Sequence, residues 1–514
     1  MDAPEVSTSR RTLLKGSSAA IAAAFGGPIA ALASRVAEAS TSSCMAATSS
    51  VLLDSPYGAL APVNDLTTGL PLIQLPPGFS YKSYGWRGDV MTDGLITPTA
   101  HDGMGVVRAR KVGRSTEIVL IRNHELSTGS SAASIIGASR AAVAKYDTGT
   151  TSSAYQLGGT TNLVWRDGNW VESYASFGGT NRNCAGGSST WGSWLTNEEI
   201  RSNAVSSTGK KHGYIFEVPA DPSLTAANPN PLVDMGRMAH EASAIDPLTG
   251  YWYLTEDQGN ANTLYRFRPA NIAGGLNSLH AGGTLQGLKV KSQANADLRM
   301  PTLCQEFDTE WVDIANPDLD GATISSVVGS VSASGPYRQA YANGAAILGA
   351  GEGCWVANGT VFFTDKQVTT SPNPNRAGRI WALDLASMVL KAIFVSNDLQ
   401  VGNSPDNICV SPRGGLLFNE DGGTSGPNSG PAVTAQRLMA LHPNGNSYMF
   451  AANNYNFTAA QLAAVGKPNA PTGNLRNTEW CGSCFSPDGR VLFVNLQSPG
   501  LTLAITGPWT NGTL

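Results

Sequence analysis

The sequence predicts an all-β chain built as a radial array of antiparallel hairpins, and three observations carry that prediction. Of 514 residues, 14% are charged and 57 are glycine. That balance suits turn-dense sheet better than amphipathic helices, which need charged outer faces. Six segments share one plan: an apolar run, a tight turn rich in Gly, Ser, Pro, Asp or Asn, and a second apolar run closing on polar or acidic residues. This is the pattern of a β-hairpin. The segments recur further apart than the about 40 to 45 residues of the shortest propeller repeats, so insertions must separate them. Closing such hairpins around an axis leaves no long unpaired edge. The expected fold is therefore a six-bladed β-propeller with long inter-blade insertions and few long helices.

Taken in chain order, residues 1–39 read as an export signal. Ser9-Arg10-Arg11-Thr12-Leu13-Leu14-Lys15 is a twin-arginine pattern, followed by an alanine-rich apolar stretch from Ala19 to Ala33. That stretch is too short and too weakly hydrophobic for a membrane span. Residues 40–514 are expected to form one propeller domain. The twin-arginine machinery would deliver it to the periplasm or the medium, with no stable membrane insertion after signal removal. The hairpins then follow as His101 to Glu125, Asn183 to Glu199, His240 to Asp257, Glu352 to Lys366, Asp406 to Asp421 and Glu479 to Gln497. Segments 126–157, 270–300 and 422–434, rich in Ala, Ser, Asn and Gly, are the expected loops between them. Seven cysteines spread over so long a chain make no small-protein disulfide framework. Cys481-Gly-Ser-Cys484 has redox or zinc spacing but no second such motif beside it, which favours a structural pair or buried thiols.

The polar groups at the hairpin ends carry the chemistry. In an antiparallel hairpin, the residue opening the first strand and the one closing the second lie side by side, opposite the turn. Those flanks are Asp102 with Asn123, His124 and Glu125; Asn183 with Asn197, Glu198 and Glu199; and His240 and Glu241 with Glu256 and Asp257. They continue with Glu352 and Asp365; Asp406 and Asn407 with Glu420 and Asp421; and Glu479 with Asn495 and Gln497. Brought to one mouth of a central tunnel, this many carboxylates cannot stay ionised without cations. Hard oxygen donors in such number call for Ca²⁺, alone or with a trivalent or redox metal. A formal charge of -4, with no Lys/Arg block beyond the N-terminus, gives no footprint for nucleic acid or an anionic membrane. The sequence has no GxSxG elbow, no HExxH and no phosphate-loop spacing. Trp191, Trp194, Trp252, Trp355 and Trp381 are expected to pack blades rather than stack on a cofactor.

From about Tyr57 to Trp509 the chain resembles the PhoX-type alkaline phosphatases. The resemblance is carried by LPPGFSYKSYGWRGDVMTDG (75–94), HDGM (101–104), IRNHE (121–125), GGTTNLVW (158–165) and NCAGGSSTWGSWLTNEE (183–199). It continues through HGYIFEV (212–218), HEASAIDPLTGYWYLTED (240–257), SPDNICVSPRG (404–414), NED (419–421) and CFSPDGRVLFVNLQSPG (484–500). It implies a twin-arginine-exported six-bladed propeller holding calcium and iron at the axis and hydrolysing small phosphorylated substrates without a Ser or Cys nucleophile. Carried over by motif, the metal carboxylates would be Glu198 or Glu199, Glu256, Asp257, Glu352, Glu420 and Asp421. Asn123, His124, Glu125, Asn197, His240, Glu241 and Asp406 would be ligands or their supports. Glu352, His240 and Arg379 are the catalytic residues expected on this basis.

Two departures bear on the chemistry. Asn197 stands where the family has an iron-ligating cysteine, which weakens the case for Fe³⁺ beside Ca²⁺. Ala350 stands where the family has an arginine, removing a bidentate phosphate contact. Cys184 or Cys354, and Arg338, Arg376 or Arg379, are the candidate replacements. Two other functions fit the same scaffold: a calcium-dependent propeller lactonase or organophosphate hydrolase, and a non-catalytic calcium-stabilised binding propeller.

Overall fold

The structure is a computed structural model that describes residues 48–129, 143–149, 156–203, 209–221, 228–366, 378–422 and 434–514. The expected export signal, Cys44 and Arg376 lie outside the described residues. The chain is all-β and propeller-like, with few helices. Six strands surround one axis: β1 (His101–Val112), β2 (Asn183–Ser188), β3 (His240–Ile245), β4 (Ala350–Ala357), β5 (Pro405–Val410) and β6 (Trp480–Phe485). Each packs beside the next, and β6 returns to β1. Together they line an axial cavity of about 240 Å³, to which Gly103, Ala185, Ala242, Gly353, Asn407 and Gly482 each contribute.

Outward from the axis, each of these strands pairs antiparallel with the next strand in sequence. β1 leads to Ser115–His124, Gly158–Arg166 and Asn169–Thr180, while β2 leads to Ser193–Glu198 and Ile215–Pro219. From β6 the order runs through Val491–Leu496 and Leu501–Thr506 to Ser80–Tyr84. An N-terminal strand thus closes the last sheet, tying the chain's two ends together. The hydrogen-bonded sheets do not separate into six. The outermost strand on the β3 side, Glu306–Ile314, pairs with Val389–Ser396, so β3 and β4 share one nine-stranded sheet. Segment 270–300, expected as loop, contains part of this reason: Gly283–Val290 is a strand within that sheet.

Sheets buried on both faces read as continuous apolar runs rather than alternating ones. In Ser115–His124 everything from Glu117 onward is buried. The cores lie between neighbouring sheets. Tyr253 and Leu288 pack with Phe363, Trp381 and Leu390, and Leu438 and Phe450 pack with Trp480, Leu492 and Leu503. Trp194, Trp252 and Trp381 are buried in such layers, as expected. At the axis the strands approach too closely for side chains. A Cβ on Gly187 would stand 2.0 Å from the Ser243 carbonyl oxygen, and one on Gly353 would stand 2.6 Å from that of Asp406. Cys481 and Cys484 are free buried thiols rather than a pair, while Cys304 is disulfide-bonded.

Candidate metal centre

One local irregularity, repeated in all six hairpins, builds the site. Between His101 and Met104 three steps of β1 oppose two steps of its partner, and the same shift recurs at Asn183/Gly186, His240/Ser243, Gly351/Cys354, Pro405/Ile408 and Cys481/Cys484. These are β-bulges, which re-aim the side chains at the kink. In five hairpins the pair flanking the bulge is followed, on each strand, by a residue bearing a ligand or a charge. These are Asp102 and Glu125, Cys184 and Glu199, Glu241 and Asp257, Glu352 and Lys366, and Asp406 and Asp421. In the sixth hairpin the residues after that pair are Gly482 and Leu496, and its ring members both come from the first-strand side: Cys481 within the pair and Glu479 just before β6. Asp102, Cys184, Glu241, Glu352, Asp406 and Cys481 each precede a residue that lines the axial cavity, so this ring sits at one mouth of that cavity.

The ring is continuous. One donor atom from each of Cys184, Glu199 and Glu241 lies within 4.8 Å of the other two. The same holds for Glu241, Glu352 and Asp406, for Asp406, Asp421 and Glu479, and for Asp102, Glu479 and Cys481. Glu125 joins through Gln497, whose amide donates to Glu125 at 3.0 Å and to Asp102 at 3.3 Å. Arg182 bridges Glu125 (2.8 Å) and Glu199 (2.6 Å). Lys366 Nζ lies 2.7 Å from Glu352 and 3.6 Å from both Asp257 and Asp421.

Nine carboxylates against these two cations leave a formal excess of seven negative charges. Burial holds the Glu241 carboxyl well above its ordinary range, and the neighbouring Glu352 and Asp406 raise it further. Burial likewise raises Asp102, with Glu125 and Asp406 adding to it, and Glu479, with Asp421 and Asp102 adding. Asp406 is pushed up to about 7 by burial, against the pull of Lys366. Burial also raises the Cys184 thiol, reinforced by Asp102 and Glu241. The fully buried Glu241 Oε1 has no hydrogen-bond partner. An unpaired buried carboxylate oxygen among like charges is costly without a cation.

The strand's period of two splits the acids expected from sequence. Of each consecutive pair, one residue turns toward the mouth and the other turns back into the sheets. Glu199, Asp257, Asp421, Glu125, Glu352 and Asp406 belong to the ring, but Glu198, Glu256 and Glu420 do not. Glu198 accepts from His212 Nδ1 (2.7 Å) and from the backbone N–H groups of Asn181 and Gly213. Glu256 accepts from the Tyr265 hydroxyl. Glu420 accepts two hydrogen bonds from Arg437, at 2.6 and 2.7 Å. Asn197 is also turned away, donating to the Glu241 carbonyl at 3.1 Å.

The expected catalytic His240 and Arg379 are structural in their contacts. His240 is fully buried, its Nε2 2.8 Å from the Gly236 carbonyl oxygen, and burial lowers it to about 4. Arg379 is buried against Asp365 at 3.2 Å. Sequence reasoning placed Asp102 and Glu479 only as flanks, and it missed Lys366, Arg182 and Cys481 as members of the ring. Of the two thiols proposed as replacements, Cys184 is in the ring, whereas Cys354 lies against Tyr253. Ala350 pairs directly opposite Lys366, so a cation does stand at that level of the hairpin, on the other strand.

A family model described as alkaline phosphatase PhoX matches residues 55–173 and 168–500. Among solved structures, PhoX from Pseudomonas fluorescens, in complex with vanadate, a transition state analogue, superposes with a TM-score of 0.58 at 16% identity. That match covers 89% of this chain and 99% of the other and shows a shared fold. A gluconolactonase from Xanthomonas campestris superposes with a TM-score of 0.38 at 11% identity, over 90% of this chain and 99% of the other. No curated protein matches the sequence.

Proposed function

The chain belongs to the PhoX alkaline phosphatase family, and from that premise we propose that it is a metal-dependent phosphate monoester hydrolase working at the carboxylate ring. The observation that carries the reading is the ring itself: buried, converging acids with too few cations to balance them. The donor set fits the metals. Carboxylate oxygens in this number suit Ca²⁺, and Cys184 and Cys481 add soft donors that suit iron. Asp102, Glu125, Glu199, Glu241, Asp257, Glu352, Asp406, Asp421 and Glu479 would hold the cations. With Cys184 in the ring, Asn197 no longer argues against Fe³⁺. When bound, such cations supply Lewis-acid stabilisation to the charge that develops on a phosphoryl group.

The chain's own residues do the positioning. Arg182 fixes Glu125 and Glu199 at once, and Gln497 ties Glu125 to Asp102. Asn407 donates to Asp406 at 3.1 Å while accepting from Gly482 N–H at 2.6 Å, locking the kink of β5 against that of β6. Six blades is our reading of the architecture, with the nine-stranded sheet counted as two; the closed cycle β1 to β6 supports it. Export by the twin-arginine pathway to the periplasm or medium rests on the Ser9 to Lys15 motif. Among the described residues no helix is long and apolar enough to cross a membrane.

The reading is tested by p-nitrophenyl phosphate turnover with and without a chelator. Turnover that the chelator abolishes and Ca²⁺ restores is expected. Turnover indifferent to chelation would overturn it, and metal binding without phosphate ester hydrolysis would move the assignment to lactones or to a binding role.

A further inference from the structure

We propose that Lys366 is a resident cation that takes the place of one divalent metal ion in the ring. The inference rests on the metal-dependent reading above and goes beyond it by assigning charge balance in one sector to the polypeptide. The position itself stands out. Among the five hairpins in register, the residue that leaves the second strand toward the mouth is Glu125, Glu199, Asp257 or Asp421, and in the fifth it is Lys366. One hairpin therefore offers an ammonium at the place where four offer a carboxylate.

Its surroundings are those of a bound cation. Nζ stands within 4 Å of three carboxylates from three different hairpins: Glu352 at 2.7 Å, Asp257 at 3.6 Å and Asp421 at 3.6 Å. Glu352 is within hydrogen-bond distance of Nζ and Asp257 and Asp421 stand just outside it, so three anionic groups surround the ammonium. The complementary observation lies in the rest of the ring. Among the described residues, four groups of donor atoms cluster closely enough to share an ion, and Asp257 is in none of them. The sector where Asp257, Glu352 and Asp421 converge is the one Lys366 fills. A monovalent group there also spares the site one round of metal dehydration while leaving Glu352 available to the neighbouring cluster with Glu241 and Asp406.

The test compares calcium per folded chain, by mass spectrometry and by calcium titration of chelator-stripped protein, in wild type, Lys366→Gln, Lys366→Met and Lys366→Arg. The neutral variants should bind one more equivalent of Ca²⁺ than wild type, and Lys366→Arg should keep the wild-type number. Counting calcium on the folded fraction of each variant keeps the comparison valid if one of the single variants folds poorly. Equal calcium numbers across the series would overturn the proposal. So would an unchanged number with vanadate binding weakened 10-fold or more, since Lys366 would then be a contact for the substrate phosphate. Wild type that binds no calcium would instead overturn the metal-dependent reading itself.

Discussion

Glu420 and Asp421 are neighbours in sequence, yet the structure assigns them opposite duties, and exchanging each for its amide separates those duties. Glu420 is fully buried and accepts from Arg437 Nε and Nη2, from Arg437 N–H and from Asn403 N–H, while Arg437 is itself only 4% exposed. In Glu420→Gln the amide NH₂ faces donors, and the guanidinium loses its charge partner. Hydrogen bonds to a charged group contribute about 1.5–3 kcal/mol each, and breaking a buried pair by removing one partner costs about 3–5 kcal/mol. A loss of about 3–5 kcal/mol is therefore expected, with the metal content of the folded fraction unchanged. Asp421→Asn should not destabilise the metal-free protein, because burial already disfavours the ionised carboxylate there and Asp257 adds to this, but it should lower the calcium content. Denaturant unfolding and mass spectrometry of the folded fraction read both quantities. A Glu420→Gln protein of normal stability that has lost metal would refute the alternation argument.

Other predictions follow the same logic. Arg182→Met should weaken metal retention or turnover by about 10–100-fold, the usual effect of removing a partner that orients ligands; an unchanged value would show that Glu125 and Glu199 orient themselves. Chelation should lower the thermal midpoint, because the ring's charge excess is then uncompensated, and addition of Ca²⁺ should restore it. Asp318 supplies a pH test away from the ring. Burial raises its carboxyl, but hydrogen bonds from Tyr214, Arg237 and Lys211 outweigh this and leave it below its ordinary 3.8. Its contribution is present above the unfolded value and lost as pH falls through the lower native one. The stability gap between wild type and Asp318→Asn should therefore be full at pH 7 and close in acid, below about pH 3.8; a gap independent of pH would contradict the assignment.

The hairpins were legible because apolar runs, turn residues and acidic ends announce them without knowledge of the fold. The site was legible only in part. Sequence showed Glu198-Glu199, Glu256-Asp257 and Glu420-Asp421 as doublets, but a doublet does not say which member faces the axis; that depends on register. The bulges set the register, and they are recorded in backbone pairing rather than in composition. The small residues that follow four of the first-strand ring members, Gly103, Ala185, Ala242 and Gly353, are the signal that marks those kinks. Lys366 appears in the sequence only as the end of a hairpin, and nothing in its local sequence places its ammonium among Asp257, Glu352 and Asp421. His240, through its motif, and Arg379, as a candidate for the missing arginine, are the expected catalytic groups, yet His240 Nε2 lies against the Gly236 carbonyl and Arg379 against Asp365, contacts that spacing does not reveal.

The claim that the axis-facing members of these doublets hold the metals is tested most directly by anomalous diffraction from crystals of the metal-loaded protein. The account predicts anomalous peaks confined to the mouth bounded by Asp102, Cys184, Glu241, Glu352, Asp406 and Glu479, with the peak for any iron beside a thiol, Cys184 or Cys481. Peaks centred on Glu198, Glu256 or Glu420, or none at the axial mouth, would contradict it.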